Sequence, residues 1–300
     1  MPLDWSQEKA SWPHSEKSVF ISCNGVRWHV QRFGFPPNVD ADALPPLKPQ
    51  PIILLLHGTG ASSHSWRDVA QALATTHPVV TLDLPGHGFT NHPGVSCMSL
   101  PGMASAIAQL LVQENWQVHT IAGHSAGAAI AIEMCISNLI KPEKLVSFNG
   151  ALLPLQSLSG QLFSPIAKLL VRNSLVPKFF SWRAENPKFV SLLMNSTGST
   201  LTPEGTALYG RLVRNADHAA GALAMMANWD LESFSRKLYQ LKIPLRLIAA
   251  QNDKTISPRM AMRVKSMLPN AELIAVANLG HLSHEEKPLE AAALILRKLP

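Results

Sequence analysis

Cysteine is scarce in this chain: Cys23, Cys97 and Cys135 are the only three in 300 residues. They are odd in number and follow no repeating spacing. That excludes a disulfide framework or a cysteine metal site and fits a reducing cytoplasm. Charge is thin as well, at 15% of residues. No basic run or interleaved aromatic-basic face stands out, so nucleic acid is not expected as a partner. No apolar stretch approaches the ~20 residues needed to cross a bilayer. The polar opening MPLDWSQEKASWPHSEK has no signal core. G-x-x-x-x-G-K-[ST] is absent too, which removes a nucleotide-hydrolysing phosphate loop.

What charge there is falls unevenly. Residues 1–150 carry 8 Lys/Arg against 10 Asp/Glu, and residues 151–300 carry 18 against 10. The basic second half points to an anionic small molecule, an acidic protein or a membrane surface as its counterpart.

Apolar periodicity divides the chain into three stretches. Val19–Ser22 and Val26–Gln31 flank Asn24-Gly25, a hairpin signal, and the alternation of Val26, Trp28 and Val30 predicts one buried face. A proline-rich loop over 35–51 follows. The continuous apolar run Ile52–Leu56 reads as a strand covered on both faces, and Val79–Leu82, Val118–Ala122 and Lys144–Phe148 read as further short strands. Helical patterns over Ser65–Thr75, Met98–Gln113 and Ala126–Ser137 separate them. Between 152 and 241 strand signals vanish, and Ser164-Pro165 and Thr202-Pro203 each pair an N-cap with a first-turn proline. Alternation resumes with a strand at Ile243–Ala250, a helix at Pro258–Met267, a strand at Ala271–Ala277 and a helix at Glu285–Leu299. The expectation is an α/β fold with a parallel sheet built from 1–151 and 242–300, and a helical cap inserted over 152–241.

Chemistry concentrates at strand ends. Gly123-His124-Ser125-Ala126-Gly127 fits G-x-S-x-G, a strained strand-to-helix turn that exposes a serine hydroxyl. The pentapeptide arises by chance in glycine-containing chains, so its weight rests on its partners. A serine needs a base, and the base needs a carboxylate to fix its tautomer. Asp253 and His281 each follow a predicted strand, in the order Ser, acid, His. His284 is a rival base in the same loop. Asp83 is a rival acid, but it reads as the residue holding the Pro85-Gly86-His87-Gly88 turn. Oxyanion donors are expected from the backbone N–H groups of Thr59 and Ala126. His281 and His284 form an H-x-x-H pair without a third ligand, so no metal and no cofactor are expected.

The cap stretch combines Phe163, Phe179, Phe180 and Trp182 with Lys168, Arg172, Lys178, Arg183 and Lys188. An apolar face with a basic rim suits a small apolar or flat anionic substrate, or a peripheral membrane contact. Trp66, His124, Met225, Met226 and Trp229 complete the expected pocket lining. The bland alternative is an amphipathic cap helix with a solvated face.

HGTGASSHSW, DLPGHG, GHSAG, the Asp253 loop and GHLSHEEKP resemble the α/β-hydrolase family over nearly the whole chain. The resemblance implies a mostly parallel twisted sheet with helices on both faces, and acyl transfer without a cofactor. Serine rather than aspartate at 125 argues against dehalogenase and epoxide hydrolase chemistry. A narrower resemblance rests on LLLHGTGASSHSWRD, LDLPGHGFT, SLPGMA, GHSAGAAIA, NGALLP and MMANWDL. It is to the magnesium chelatase accessory proteins of bacteriochlorophyll synthesis. It implies a role near Mg²⁺ insertion into protoporphyrin IX, with a porphyrin as ligand and magnesium chelatase subunits as partners. Three activities stay open: hydrolysis by a Ser-His-Asp triad, a porphyrin-binding or chelatase-interacting accessory without turnover, and a general carboxylesterase or carbon–carbon bond hydrolase.

Overall fold

A single eight-stranded sheet organises the chain, in the order β1-β2-β4-β3-β5-β6-β7-β8. The computed structural model describes residues 1–35, 49–92, 94–154 and 175–299. Most of the predicted proline-rich loop, Phe163 and the Ser164-Pro165 helix start lie outside them. After a short helix α1 (Trp5–Glu8), strands β1 (Ser18–Cys23) and β2 (Val26–Phe33) form the expected hairpin. Asn24 and Gly25 both take positive φ, as a two-residue hairpin turn requires. Burial is broader than the one face expected. His29 and Gln31 are fully buried beside Trp28 and Val30. Trp5 covers the His29 ring, and Gln31 donates to the Pro13 carbonyl. The polar N-terminal segment thus covers the face predicted to be solvated.

The parallel part follows from the apolar runs. β3 (Gln50–Leu56), β4 (Val79–Leu82), β5 (Trp116–His124), β6 (Lys144–Phe148), β7 (Leu245–Ala250) and β8 (Glu272–Val276) are parallel throughout, and only β1 and β2 run against their neighbours. β3 starts earlier than predicted, inside the proline-rich stretch. Pro51 lies opposite Gln117 of β5, and β4 pairs only from Ile53 onward, so proline's missing donor is tolerated.

Period-2 alternation along β3 assigns its residues to two cores. Ile52, Leu54 and Leu56 pack on the face carrying α3 (Leu100–Gln113) and α4 (Ala126–Ile136). Ile53 and Leu55 pack on the opposite face with α2 (Arg67–Leu73). Ser99 caps α3 as expected, accepting from the Gly102 N–H.

Between β6 and β7 the regular structure among the described residues is helical: α5 (Leu175–Arg183), α6 (Pro187–Asn195), α7 (Pro203–Arg214), α8 (Ala216–Asn228) and α9 (Leu231–Ser235). Thr202 caps α7 with Pro203 in its first turn. α10 (Pro258–Met267) lies between β7 and β8. The predicted last helix is two, α11 (Ser283–Glu286) and α12 (Pro288–Leu296). Pro288 forces Lys287 into a non-helical conformation, with φ −137° and ψ 67°. Among the described residues no helix is long and apolar enough to cross a membrane.

The consequence of this topology is convergence. β3, β4, β5, β6, β7 and β8 all end at one edge of the sheet. There they release His57-Gly58-Thr59-Gly60, Asp83, Ser125, Asn149, Asp253 and His281.

Candidate active site

Ser125 sits between β5 and α4 at φ 50° and ψ −114°, a region L residues rarely occupy. Two neighbours make the turn possible. A Cβ on Gly123 would fall 2.4 Å from the Ala128 nitrogen, and one on Gly127 would fall 2.2 Å from the Leu56 carbonyl oxygen. Only glycine at both places lets the strand, the turn and the helix approach so closely. The turn is anchored by the Ser125 N–H donating to the Phe148 carbonyl at 2.9 Å.

Asp253 and His281, from the loops after β7 and β8, are brought together. His281 Nδ1 lies 2.8 Å from Asp253 Oδ2, and both side chains are buried. The other oxygen, Oδ1, accepts from the Thr255 and Ile256 N–H groups at 2.7 and 2.8 Å. With both oxygens engaged as acceptors, Nδ1 carries the proton and Nε2 is left as the basic nitrogen.

His284 has a different place. It is fully buried, neither ring nitrogen has a hydrogen-bond partner among the described residues, and burial holds it well below the ordinary imidazole range. Its ring lies 4.3 Å from Trp66 and 4.4 Å from His124, and His124 lies 4.6 Å from His281. Trp66, His284 and His124 thus form a row of rings that ends on His281. His124 Nε2 donates to the His281 carbonyl at 2.9 Å, and burial keeps His124 neutral. Among the described residues no group of three or more His, Cys, Asp or Glu is placed to hold a metal ion.

Asp83 organises the neighbouring turn. It accepts from the Ser63 and Phe89 N–H groups and from His29, and the His29 contact with these donors holds its carboxyl far below the usual range despite burial. The Thr59 and Ala126 N–H groups meet no protein acceptor among the described residues. Helix α8 steadies the Thr59 loop: His218 Nε2 donates to the Gly60 carbonyl at 3.2 Å, and Thr59 Oγ1 lies 3.5 Å from Met225 Sδ.

The expected pocket residues separate. Trp66 and Trp229 are core side chains, Trp66 fully buried and Trp229 nearly so, and Met225 is buried beside Thr59. Met226 is half-buried. Phe179, Phe180 and Trp182 are exposed on α5, at 57%, 39% and 60%. Trp66 and Trp229 face inward because they fill the layers on either side of the sheet, a fate that residue type alone does not distinguish from ligand contact.

Sequence reasoning missed Asn149, at the end of β6. Its Nδ2 reaches the carbonyls of His281 at 2.8 Å and Gly280 at 3.2 Å, and its Oδ1 accepts from the Ala250 N–H at 2.8 Å. The only sequence signal was Asn-Gly directly after a strand, which reads as a turn.

Comparison with known proteins bears on the family and the fold. The chain is 29% identical over 276 residues to the magnesium-chelatase 30 kDa subunit of Rhodobacter capsulatus, covering 92% of each. It is 23% identical to the AB hydrolase superfamily protein YfhM of Bacillus subtilis (strain 168), over 94% of this chain and 98% of that one. An alpha/beta hydrolase fold protein from Burkholderia ambifaria superposes with a TM-score of 0.75 at 20% identity, covering 93% of this chain and 97% of the other. The model of the alpha/beta hydrolase family matches residues 53–294, from β3 to α12, and the chain belongs to that family.

Proposed function

We propose that this protein is a serine hydrolase acting on an ester or related acyl bond. The observation that supports it best is the 2.8 Å contact between Asp253 and His281 at the strand edge that also carries Ser125. In this reading Ser125 Oγ attacks the carbonyl carbon while His281 Nε2 takes its proton. The oxygen that becomes negative accepts from the Thr59 and Ala126 N–H groups. Collapse breaks the bond to the leaving group, which takes the proton from His281. Water, deprotonated by the same nitrogen, then releases the acid and restores Ser125. In this reading the described helices α5 to α9 are assigned as the cap over this edge, through the contacts of α8 with the Thr59 loop.

The narrower assignment is a role in bacteriochlorophyll synthesis near Mg²⁺ insertion into protoporphyrin IX. It rests on the sequence resemblance and on the likeness to a relative named as a magnesium-chelatase subunit. That name favours a second reading as well: a porphyrin-binding or chelatase-contacting accessory that keeps the triad without turnover. Peripheral membrane contact is assigned to α5, where exposed Phe179 and Trp182 stand beside exposed Lys178 and Arg183.

A fluorophosphonate probe is expected to label Ser125 in the folded protein. Ser125→Ala should lower ester hydrolysis by at least about four orders of magnitude. In a host that depends on this protein for pigment, normal pigment from Ser125→Ala would replace the hydrolase reading with the accessory one. Titration with protoporphyrin IX should shift its Soret band, and no shift would remove the pigment assignment. Co-sedimentation with anionic but not zwitterionic vesicles, lost in a Phe179→Ser, Trp182→Ser variant, tests α5.

A further inference from the structure

Four residues leaving α6, Thr197 to Thr200, run between the loop of Asp253 and the loop of His281 and are bonded to both. The Thr197 carbonyl accepts from the Lys254 N–H and from the His281 N–H, each at 3.2 Å. One acceptor thus joins the residue after the acid to the backbone of the base. Ser199 Oγ, buried, accepts from the Leu282 N–H at 2.8 Å. The Thr200 N–H donates to Glu286 Oε2 at 3.1 Å, and Glu286 Oε1 accepts from the Gly280 N–H at 2.7 Å. Three consecutive amides of the histidine loop, at 280, 281 and 282, are therefore all held. Two are held by this strap, and the third by a carboxylate that also grips it.

The fit is close on both sides. Gly198 has φ +82°, and a Cβ there would fall 2.0 Å from the Asn252 carbonyl oxygen. A Cβ on Gly280 would fall 2.3 Å from the Gly198 carbonyl carbon and the Ser199 nitrogen. Three backbones meet with no side chain between them, and glycine is needed at two of the contact points. Such a junction has one register. A shift of α6 moves the acceptors of both loops together.

We propose that the strap is the positioning element of the Asp253–His281 pair, with Ser199 as its positioning residue. It sets the separation of the two side chains and links the helices between β6 and β7 to that separation. The inference deepens the hydrolase reading and rests on it for its functional meaning, but the positioning itself is measurable without turnover. An Nδ1 proton shared with a carboxylate at 2.8 Å resonates far downfield of ordinary amides, and it sharpens only while the pair is held.

The test compares wild type, Ser199→Ala and Ser199→Thr, the last of which keeps an Oγ acceptor, with His281→Gln identifying the signal. Far-UV circular dichroism and thermal melting verify folding. Ser199→Ala should broaden or erase the downfield His281 proton and slow fluorophosphonate labelling of Ser125 at least about tenfold; Ser199→Thr should restore both. An unchanged proton signal in folded Ser199→Ala overturns the proposal, whatever the labelling rate. If wild type shows the signal but is never labelled, the hydrolase reading fails and the proton still decides the strap. Hydrogen exchange on the unmodified protein tests the strap even if Ser199→Ala does not fold. The amides of Gly280, His281, Leu282, Lys254 and Thr200 should be protected and open together. Exchange of the 280–282 amides at free-loop rates would overturn the proposal.

Discussion

Asn149 holds the backbone of His281: its amide nitrogen donates to the His281 carbonyl at 2.8 Å while its oxygen accepts from Ala250 at the end of β7. One side chain at the end of β6 therefore ties together the strand that leads to the acid and the loop that carries the base. Asn149 itself takes φ 46°, a conformation asparagine tolerates better than most residues. Asn149→Asp is nearly isosteric but places a carboxylate oxygen against two carbonyls. It should destabilise by on the order of 3 kcal/mol, read from the urea midpoint at pH 7. It should also slow fluorophosphonate labelling of Ser125. Unchanged stability would mean that the Asn149 contacts carry no net energy.

Gly127→Ala tests the packing at the serine turn. Its added methyl would meet the backbone carbonyl of Leu56, which lies in the central sheet and has no freedom to withdraw. The expected cost is at least about 3 kcal/mol, and calorimetry against wild type measures it. Gly60→Ala has no such contact but sits at φ 76°. It should cost only about 1 kcal/mol, the strain of a left-handed alanine.

The sheet was legible because its central strands are buried on both faces, so Ile52–Leu56 is an unbroken apolar run, and Val79–Leu82 and Lys144–Phe148 are mostly apolar. The pairing of Asp253 with His281 was legible because strand ends can be counted along the chain. Asn149, Thr197 and Ser199 were not. Each is a small polar residue beside a glycine, which reads as a turn, and their partners lie 83 residues or more away for Ser199 and 101 or more for the inter-loop bonds of Asn149. Trp66 was misplaced for a related reason. An aromatic next to an oxyanion loop reads as pocket lining until the opposite helix layer is seen to cover it.

Tyr209 and Glu285 join α7 to the segment just after His281. Tyr209 Oη donates to Glu285 Oε1 at 2.6 Å, and Arg67 Nη1 donates to Oε2 at 2.8 Å. All three are largely withdrawn from solvent, and burial raises the Glu285 carboxyl above its ordinary value against the pull of Arg67. Tyr209→Phe removes one donor from a buried acid and should cost about 2 kcal/mol in chemical denaturation at pH 7. Because the folded Glu285 binds its proton more tightly than the unfolded one, its contribution falls as pH rises through the carboxyl range. The Phe variant raises that carboxyl further, so its deficit should shrink on acidification toward pH 4.5. A deficit independent of pH would show that Glu285 stays ionised throughout.

His218 makes the opposite prediction for acid. Its Nδ1 accepts from the Gly88 N–H at 2.9 Å and its Nε2 donates to the Gly60 carbonyl, so the folded protein holds it neutral between two loops. Burial lowers it from 6.5 to about 4. Between those values the unfolded chain binds a proton that the folded one refuses, and stability must fall as pH falls. A gap of that size corresponds to roughly 3 kcal/mol by pH 4. His57, His64, His87, His124 and His284 are also lowered by burial, so the whole protein should lose stability steeply below pH 6.5. His218→Gln can keep one acceptor and one donor without titrating. It should therefore flatten the urea-midpoint profile between pH 6.5 and 4 while leaving pH 7.5 stability within about 1 kcal/mol. If the variant follows the wild-type slope, His218 is protonated in the folded state, and the loop of Thr59 is not held by a neutral imidazole.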